Sequence, residues 1–289
     1  MFPVHIWLPE AHPIAPSSAS ALLSGVMIKV GAYGIIRTVY GIFGVSILLT
    51  KPIILPLIIL AVVTMIFGSV MAIAQKELKR LLAYSSIAQI GYVVLGISLL
   101  SPLGLKGGVF HIFVHAFMKG SLFFAAGAII HKTGLRQLKD LNGLGRHMPV
   151  TMLAISFAGL SMIGVPPFSG FLSKWLLATG ALQASSLGII STSGAYVIIG
   201  ALVLSGLLNV VYYGPIIING WFKKPEIVIA GGASEGHDGH SETLIKYKWL
   251  EPSWVMLAPI SILALGTLFF GIYPGLPMKL AGLVARLYL

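Results

Sequence analysis

The sequence predicts an all-α polytopic membrane protein with about seven transmembrane helices, one of them broken. Three observations lead there. Hydrophobic residues make up 57% of the chain and charged residues only 9%, against roughly 25% charged in a soluble domain. Apolar runs of about 20 residues, long enough to cross a bilayer, recur along the whole length. The basic residues, which bring the net charge to +11, fall in the short segments between those runs. That distribution fits membrane orientation and excludes a nucleic-acid-binding face. The 34 glycines and 16 prolines are scattered through apolar stretches, which excludes collagen-like and low-complexity chains. Cysteine is absent, so thiolate metal or iron–sulfur ligation is unavailable. Redox chemistry and cofactors are expected on another chain, and none on this one.

Residues 1–16, MFPVHIWLPEAHPIAP, form a lead-in segment. It lacks the basic start and small-residue cleavage site of a signal peptide and reads as the middle of a larger unit. A transmembrane bundle is expected over 17–274, with spans near 17–44, 52–75, 80–100, 106–131, 149–186, 193–222 and 253–274. The fifth is too long for one straight crossing. It is interrupted by GVPPFSG, where Pro166 and Pro167 remove two backbone donors while Gly164 and Gly170 free the chain. Irregular backbone at membrane depth is tolerated where protein or a water-filled cavity satisfies it. The break therefore points to a transport site, with a packing kink as the alternative.

Counting crossings, Lys76, Lys79, Arg80, Lys132, Arg136, Lys139, Arg146, Lys223, Lys224, Lys246 and Lys248 share the N-terminal face. The other face receives Lys51, Lys106, Lys279 and Arg286, with Arg37 near a helix end. The richer face, with the N-terminus and the loop 223–252, is expected to be cytoplasmic. That loop carries His237 and His240, which read as a weak metal pair or as part of a solvated polar loop. Residues 275–289 suit a helix lying on the membrane surface.

Three lysines fall near the middle of spans: Lys29, Lys119 and Lys174. Each costs about 2.5–3.5 kcal/mol at a helix centre. Lys29 and Lys119 sit about 18 Å from either span end, beyond a lysine's snorkelling reach, and a functional role follows. For Lys174, just after the break, snorkelling or helix capping competes. His111, His115 and Lys119 recur every four residues, which forms one slanted helical stripe about 12 Å long. Imidazole titrates near neutrality and can pass a proton between its two nitrogens, so the stripe is a candidate proton relay. Metal chelation is the rival, but that helix holds no carboxylate or thiol. Tyr84, Ser85, Gln89 and Tyr92 recur at near-helical spacing in the preceding span and either line water or pack helices.

The segment FPVHIWLPEAHPIAPSSASALLSGVMIKVGAYG resembles the signature of antiporter-like subunits shared by respiratory complex I, Mrp-type cation/proton antiporters and membrane-bound hydrogenases, the proton-conducting transporter family. KELKRLLAYSSIAQIGY, FHIFVHAFMKGSLFFAAG and GVPPFSGFLSKWLL extend the likeness over nearly the whole chain. The resemblance implies an inverted-repeat bundle with five-helix half-channels, a hydrated axis of lysines and histidines, and a broken helix in each half. By that likeness Lys29 ends the first half-channel, His111, His115 and Lys119 occupy the central axis, and Lys174 ends the second half.

Family members carry further helices before this signature, including an essential glutamate–lysine pair, and neither residue is present here. The chain holds one complete five-helix half-channel repeat, the last helix of the preceding repeat and one closing helix. The resemblance thus implies a subunit of a redox-driven or Mrp-like complex in the plasma membrane, and archaeal hydrogenase-like and sulfur-reducing complexes resemble this arrangement of pieces. It conducts protons, with coupling to sodium exchange left open. Its expected partners are the lipid bilayer and other membrane subunits, including a chain supplying the missing half. A non-conducting scaffold subunit is the alternative.

Overall fold

In the computed structural model, residues 3–50, 53–224 and 249–289 are described. Ten helices account for nearly all of them: α1 (Trp7–Ile14), α2 (Ser17–Leu49), α3 (Ile54–Ile73), α4 (Leu78–Ser98), α5 (Pro102–Thr133), α6 (Pro149–Ile163), α7 (Ser169–Ser186), α8 (Thr192–Phe222), α9 (Trp254–Ile272) and α10 (Gly275–Tyr288). Six, namely α2, α3, α4, α5, α8 and α9, are each long and apolar enough to cross a bilayer. The seventh crossing is the pair α6 and α7 flanking the predicted break. His237 and His240 lie outside the described residues, as does most of the loop 223–252.

Backbone pairings between connecting segments show the alternation that seven crossings require. At one end, Leu78 N donates to Arg136 O at 3.0 Å, Leu138 N to Lys76 O at 2.8 Å, Gly143 N to Asn219 O at 2.9 Å and Leu250 N to His147 O at 2.9 Å. Lys79 Nζ donates to Ala15 O at 2.9 Å at the same end. At the other end, Ser101 Oγ donates to Gly180 O at 2.8 Å, Leu103 N to Gln183 Oε1 at 2.8 Å, and Tyr40 OH to Ile97 O at 2.6 Å.

Helix α5 is the hub, packing against α2, α4, α6, α7, α9 and α10. It runs four residues further toward its N-terminus than expected. Ser101 there acts as a cap, its Oγ accepting from Gly104 N at 3.2 Å, and Pro102 occupies the first turn, where its missing N–H costs nothing. Gly134, at φ 72°, ends the helix after His131 and Lys132. Helix α4 lies beside it with 94% of its span buried.

The first span departs from a regular helix. π-helical turns occupy Leu23–Met27 and Arg37–Phe43. Each adds a residue to the turn and widens it, a device that often marks a functional site.

The predicted break is present. Gly164, at φ 93°, ends α6, and the chain turns through residues 165–168 before α7 begins. A Cβ on Gly170 would lie 1.8 Å from Ser161 O, so only glycine lets the two halves meet this closely.

Candidate functional site: a buried lysine and histidine axis

Helix α5 carries His111, His115 and Lys119 into the interior, all three fully buried. The two imidazole rings stack, with centroids 5.7 Å apart and planes inclined by 12°. His111 Nδ1 lies 2.8 Å from Ser173 Oγ of α7, and that hydroxyl donates to Gly170 O at 2.9 Å. With the serine hydrogen so used, the network assigns the His111 proton to Nδ1. Its Nε2 has no protein partner, and neither has either ring nitrogen of His115.

Beyond His111, the Tyr92 ring of α4 lies 5.5 Å from the imidazole. Lys174 Nζ stands 5.0 Å from the centre of the same tyrosine ring, within cation–π range. Lys174 also donates to Met162 O at 2.8 Å and Ile163 O at 2.7 Å, and Asn209 Nδ2 adds a bond to Met162 O at 2.9 Å. These carbonyls at the α6 terminus would otherwise lack partners. Of the two structural readings of Lys174, capping rather than snorkelling describes its contacts. The Gly164 backbone approaches the same side chain, because a Cβ there would sit 2.9 Å from Lys174 Cδ.

Lys119 has three acceptors for its three donors. Its Nζ donates to Leu82 O at 2.8 Å, to Ser85 Oγ, and at 3.5 Å to Tyr213 OH of α8. No carboxylate takes part in this set. Ser85 Oγ and Tyr213 OH are 3.0 Å apart. Leu82 O also accepts from Ser85 and Ser86 hydroxyls, each at 2.9 Å.

Lys29 follows the π-helical turn in α2, and its Nζ donates back to Ser24 O inside that turn. Ser24 Oγ lies 2.7 Å from Ser86 Oγ. Lys29 is thereby tied to the Leu82 carbonyl that receives Lys119.

The structure thus gathers Lys29, His111, His115, Lys119 and Lys174 about one interior axis. Ser85, Gln89 and Tyr92 are buried beside it, and both amide atoms of Gln89 lack a protein partner. Tyr84 is only partly buried and packs against the apolar core. Sequence reasoning missed Ser24, Ser86, Ser173, Asn209 and Tyr213. It also missed His12 of α1, which is fully buried with neither ring nitrogen bonded to protein. His12 stacks on Phe123 at 4.6 Å, and Lys119 Nζ lies 5.9 Å from the same ring. Its signal was a second histidine between prolines in the lead-in segment.

These features define an integral, multi-pass membrane protein built around buried lysines and histidines beside a broken helix. The chain belongs to the NADH:quinone oxidoreductase/Mrp antiporter transmembrane family, whose model matches residues 1–200. It is 38% identical over 280 residues to NADH-quinone oxidoreductase subunit N of Desulforudis audaxviator (strain MP104C), covering 94% of this chain and 52% of that one. A chain of the Mrp complex from Dietzia sp. DQ12-45-1b superposes with a TM-score of 0.81 at 27% identity, over 99% of this chain and 56% of its own length. A chain of the membrane-bound sulfane sulfur reductase, an archaeal respiratory membrane complex, gives 0.80 at 27% identity, over 100% and 54%. This chain spans about half the length of each.

Proposed function

We propose that this chain is a proton-translocating, antiporter-like subunit of a redox-driven or Mrp-like complex in the plasma membrane, with its N-terminal face cytoplasmic. One observation carries the reading. His115 at both ring nitrogens, His111 at Nε2, Gln89 at both amide atoms and His12 at both ring nitrogens are buried polar atoms with no protein partner. A buried group left in that state costs about 1–3 kcal/mol, and proteins meet the cost by hydrating such sites. His111, His115 and Gln89 run from the Lys174 side toward Lys119, and His12 lies beyond Lys119 across the Phe123 ring; this run supports a water-filled path through the bilayer.

The proton suits this axis better than sodium. Lysines and imidazoles supply titratable nitrogens, whereas a hard cation wants a cage of oxygen ligands. The scaffold reading keeps one point in its favour, since Lys29 and Lys119 are held by backbone carbonyls and serine hydroxyls. The relatives carry about as much chain again, and further helices are placed by this reading on the outer face of α2, where Leu22, Val26, Met27, Val30 and Tyr33 are exposed.

His115→Phe tests the proposal, because it fills the ring position and removes both nitrogens. Proton translocation by vesicles containing the whole assembly should drop at least about tenfold, the contribution of a positioned proton carrier being 10² or more. Unchanged translocation at equal assembly refutes the path.

A further inference from the structure

Among the described residues, the bundle end opposite the loop 134–148 carries cations and no acidic side chain. The described acidic residues are Glu10, Glu77, Asp140 and Glu251. Each lies in α1 or in a segment joining helices at the other end. At the acid-free end, Lys106 in the second turn of α5 and Lys279 and Arg286 of α10 line a single cleft of about 540 Å³, together with Met278, Gly282 and Leu283. The Lys106 side chain passes over Gly282, its Cε 3.9 Å from where a Cβ would begin. Among the described residues the one ion pair is Arg80 with Glu10, so none of these three cations is neutralised within the described chain.

Helix α10 is divided lengthwise. Pro277, Ala281 and Ala285, four residues apart, are buried, and the helix packs on α5. Lys279 and Arg286, seven apart, share the opposite edge two turns from each other. Leu276, Leu280, Leu283 and Leu287 form an adjoining stripe, each more than half exposed. The Tyr288 ring rests 5.6 Å from Tyr40 of α2, which pins the far end. Two residues separate α10 from α9, a helix long and apolar enough to cross a bilayer, and this reading places α10 at the depth of the lipid phosphates. A leucine stripe beside cations at that depth is the pattern of an interfacial helix.

We propose that this cleft is a binding site for an anionic phospholipid, its phosphate held by Lys106, Lys279 and Arg286 and its acyl chains running along the α10 leucines. An acidic segment of a neighbouring protein would satisfy the charges but leave the leucines uncovered, so the lipid is the occupant both features fit. Basic pockets between membrane helices take anionic headgroups in this way, at about 1 kcal/mol per cation near the surface.

Native mass spectrometry of the purified, delipidated assembly, titrated with phosphatidylglycerol or with phosphatidylcholine of the same chains, tests the site. The intact chain should bind phosphatidylglycerol in preference, and each cation replaced by Ala should weaken that binding about fivefold while leaving phosphatidylcholine binding unchanged. Lys279→Arg should retain the preference. The double variant Lys279→Ala with Arg286→Ala touches exposed side chains only, so it reads binding without disturbing packing. Equal phosphatidylglycerol binding by the double variant and the intact chain overturns the proposal. Loss of a neighbouring subunit with lipid binding unchanged also overturns it and assigns the cleft to an acidic protein partner.

Discussion

Lys29 and Lys119, ninety residues apart in sequence, are joined through two serines and one carbonyl. Lys29 donates to Ser24 O, Ser24 Oγ meets Ser86 Oγ at 2.7 Å, and Leu82 O accepts from Ser86 at 2.9 Å and from Lys119 at 2.8 Å. Ser86 is the one side chain common to both halves of this link. Ser86→Ala should break it at a cost of about 1 kcal/mol for one hydrogen bond; because the bond positions the Leu82 carbonyl that holds Lys119 and carries no proton itself, translocation should slow by at most roughly fivefold. Stopped-flow measurement of proton uptake by vesicles checks this. A rate equal to that of the unaltered chain would show that Ser86 only packs.

The charged members of the axis were legible because a lysine or histidine inside an apolar run is costly and therefore conspicuous. Its hydroxyl members were not. Ser24, Ser86 and Ser173 look in sequence like the small residues that let any two membrane helices approach, and Tyr213 reaches Lys119 from 94 residues away. The place of Tyr84 was not readable for a different reason. Helix α4 is buried on nearly every side, so hydrophobic periodicity carries no information about which face meets the axis. The helix break was fully visible, since Pro166, Pro167 and the glycines around them announce themselves by chemistry. The N-terminal limit of α5 was missed by four residues, because the Ser101–Pro102 cap that sets it lies in a short polar step between two apolar runs.

Glu251 holds the entry to α9 against α6. Its Oε1 accepts from Val150 N at 2.6 Å and Thr151 N at 3.1 Å, and its Oε2 from Thr151 Oγ1 at 2.6 Å. These amides are free donors at the first turn of α6, where a negative charge also meets the favourable end of the helix dipole. Glu251→Ala should destabilise the chain by about 1–3 kcal/mol, and Glu251→Gln by less, because its amide oxygen still accepts. Thermal unfolding in detergent gives the order: intact chain, Gln variant, Ala variant. An Ala variant as stable as the intact chain would show that the cap is dispensable.

The loop 134–148 and the residues around Lys76 and Lys79 share one end of the bundle, and the excess of Lys and Arg there predicts a cytoplasmic location. Single cysteines introduced into this otherwise cysteine-free chain at Lys139 and at Lys279 should label from opposite sides of the membrane with an impermeant maleimide. Labelling of the Lys139 position from outside cells would invert the orientation and with it the direction of any proton path.

The central claim is that Lys119 gives up and regains a proton while buried. Proton pumping by vesicles containing the complete assembly, compared at equal assembly for the intact chain, Lys119→Ala and Lys119→Arg, tests it most directly. The account predicts that both variants lose most pumping while any redox reaction in the assembly continues: alanine has no proton to pass, and a guanidinium, with a pKa above about 12, keeps its own. Full pumping by Lys119→Ala, or rescue by Lys119→Arg, would contradict the relay and leave Lys119 as a structural cation held by Leu82, Ser85 and Tyr213.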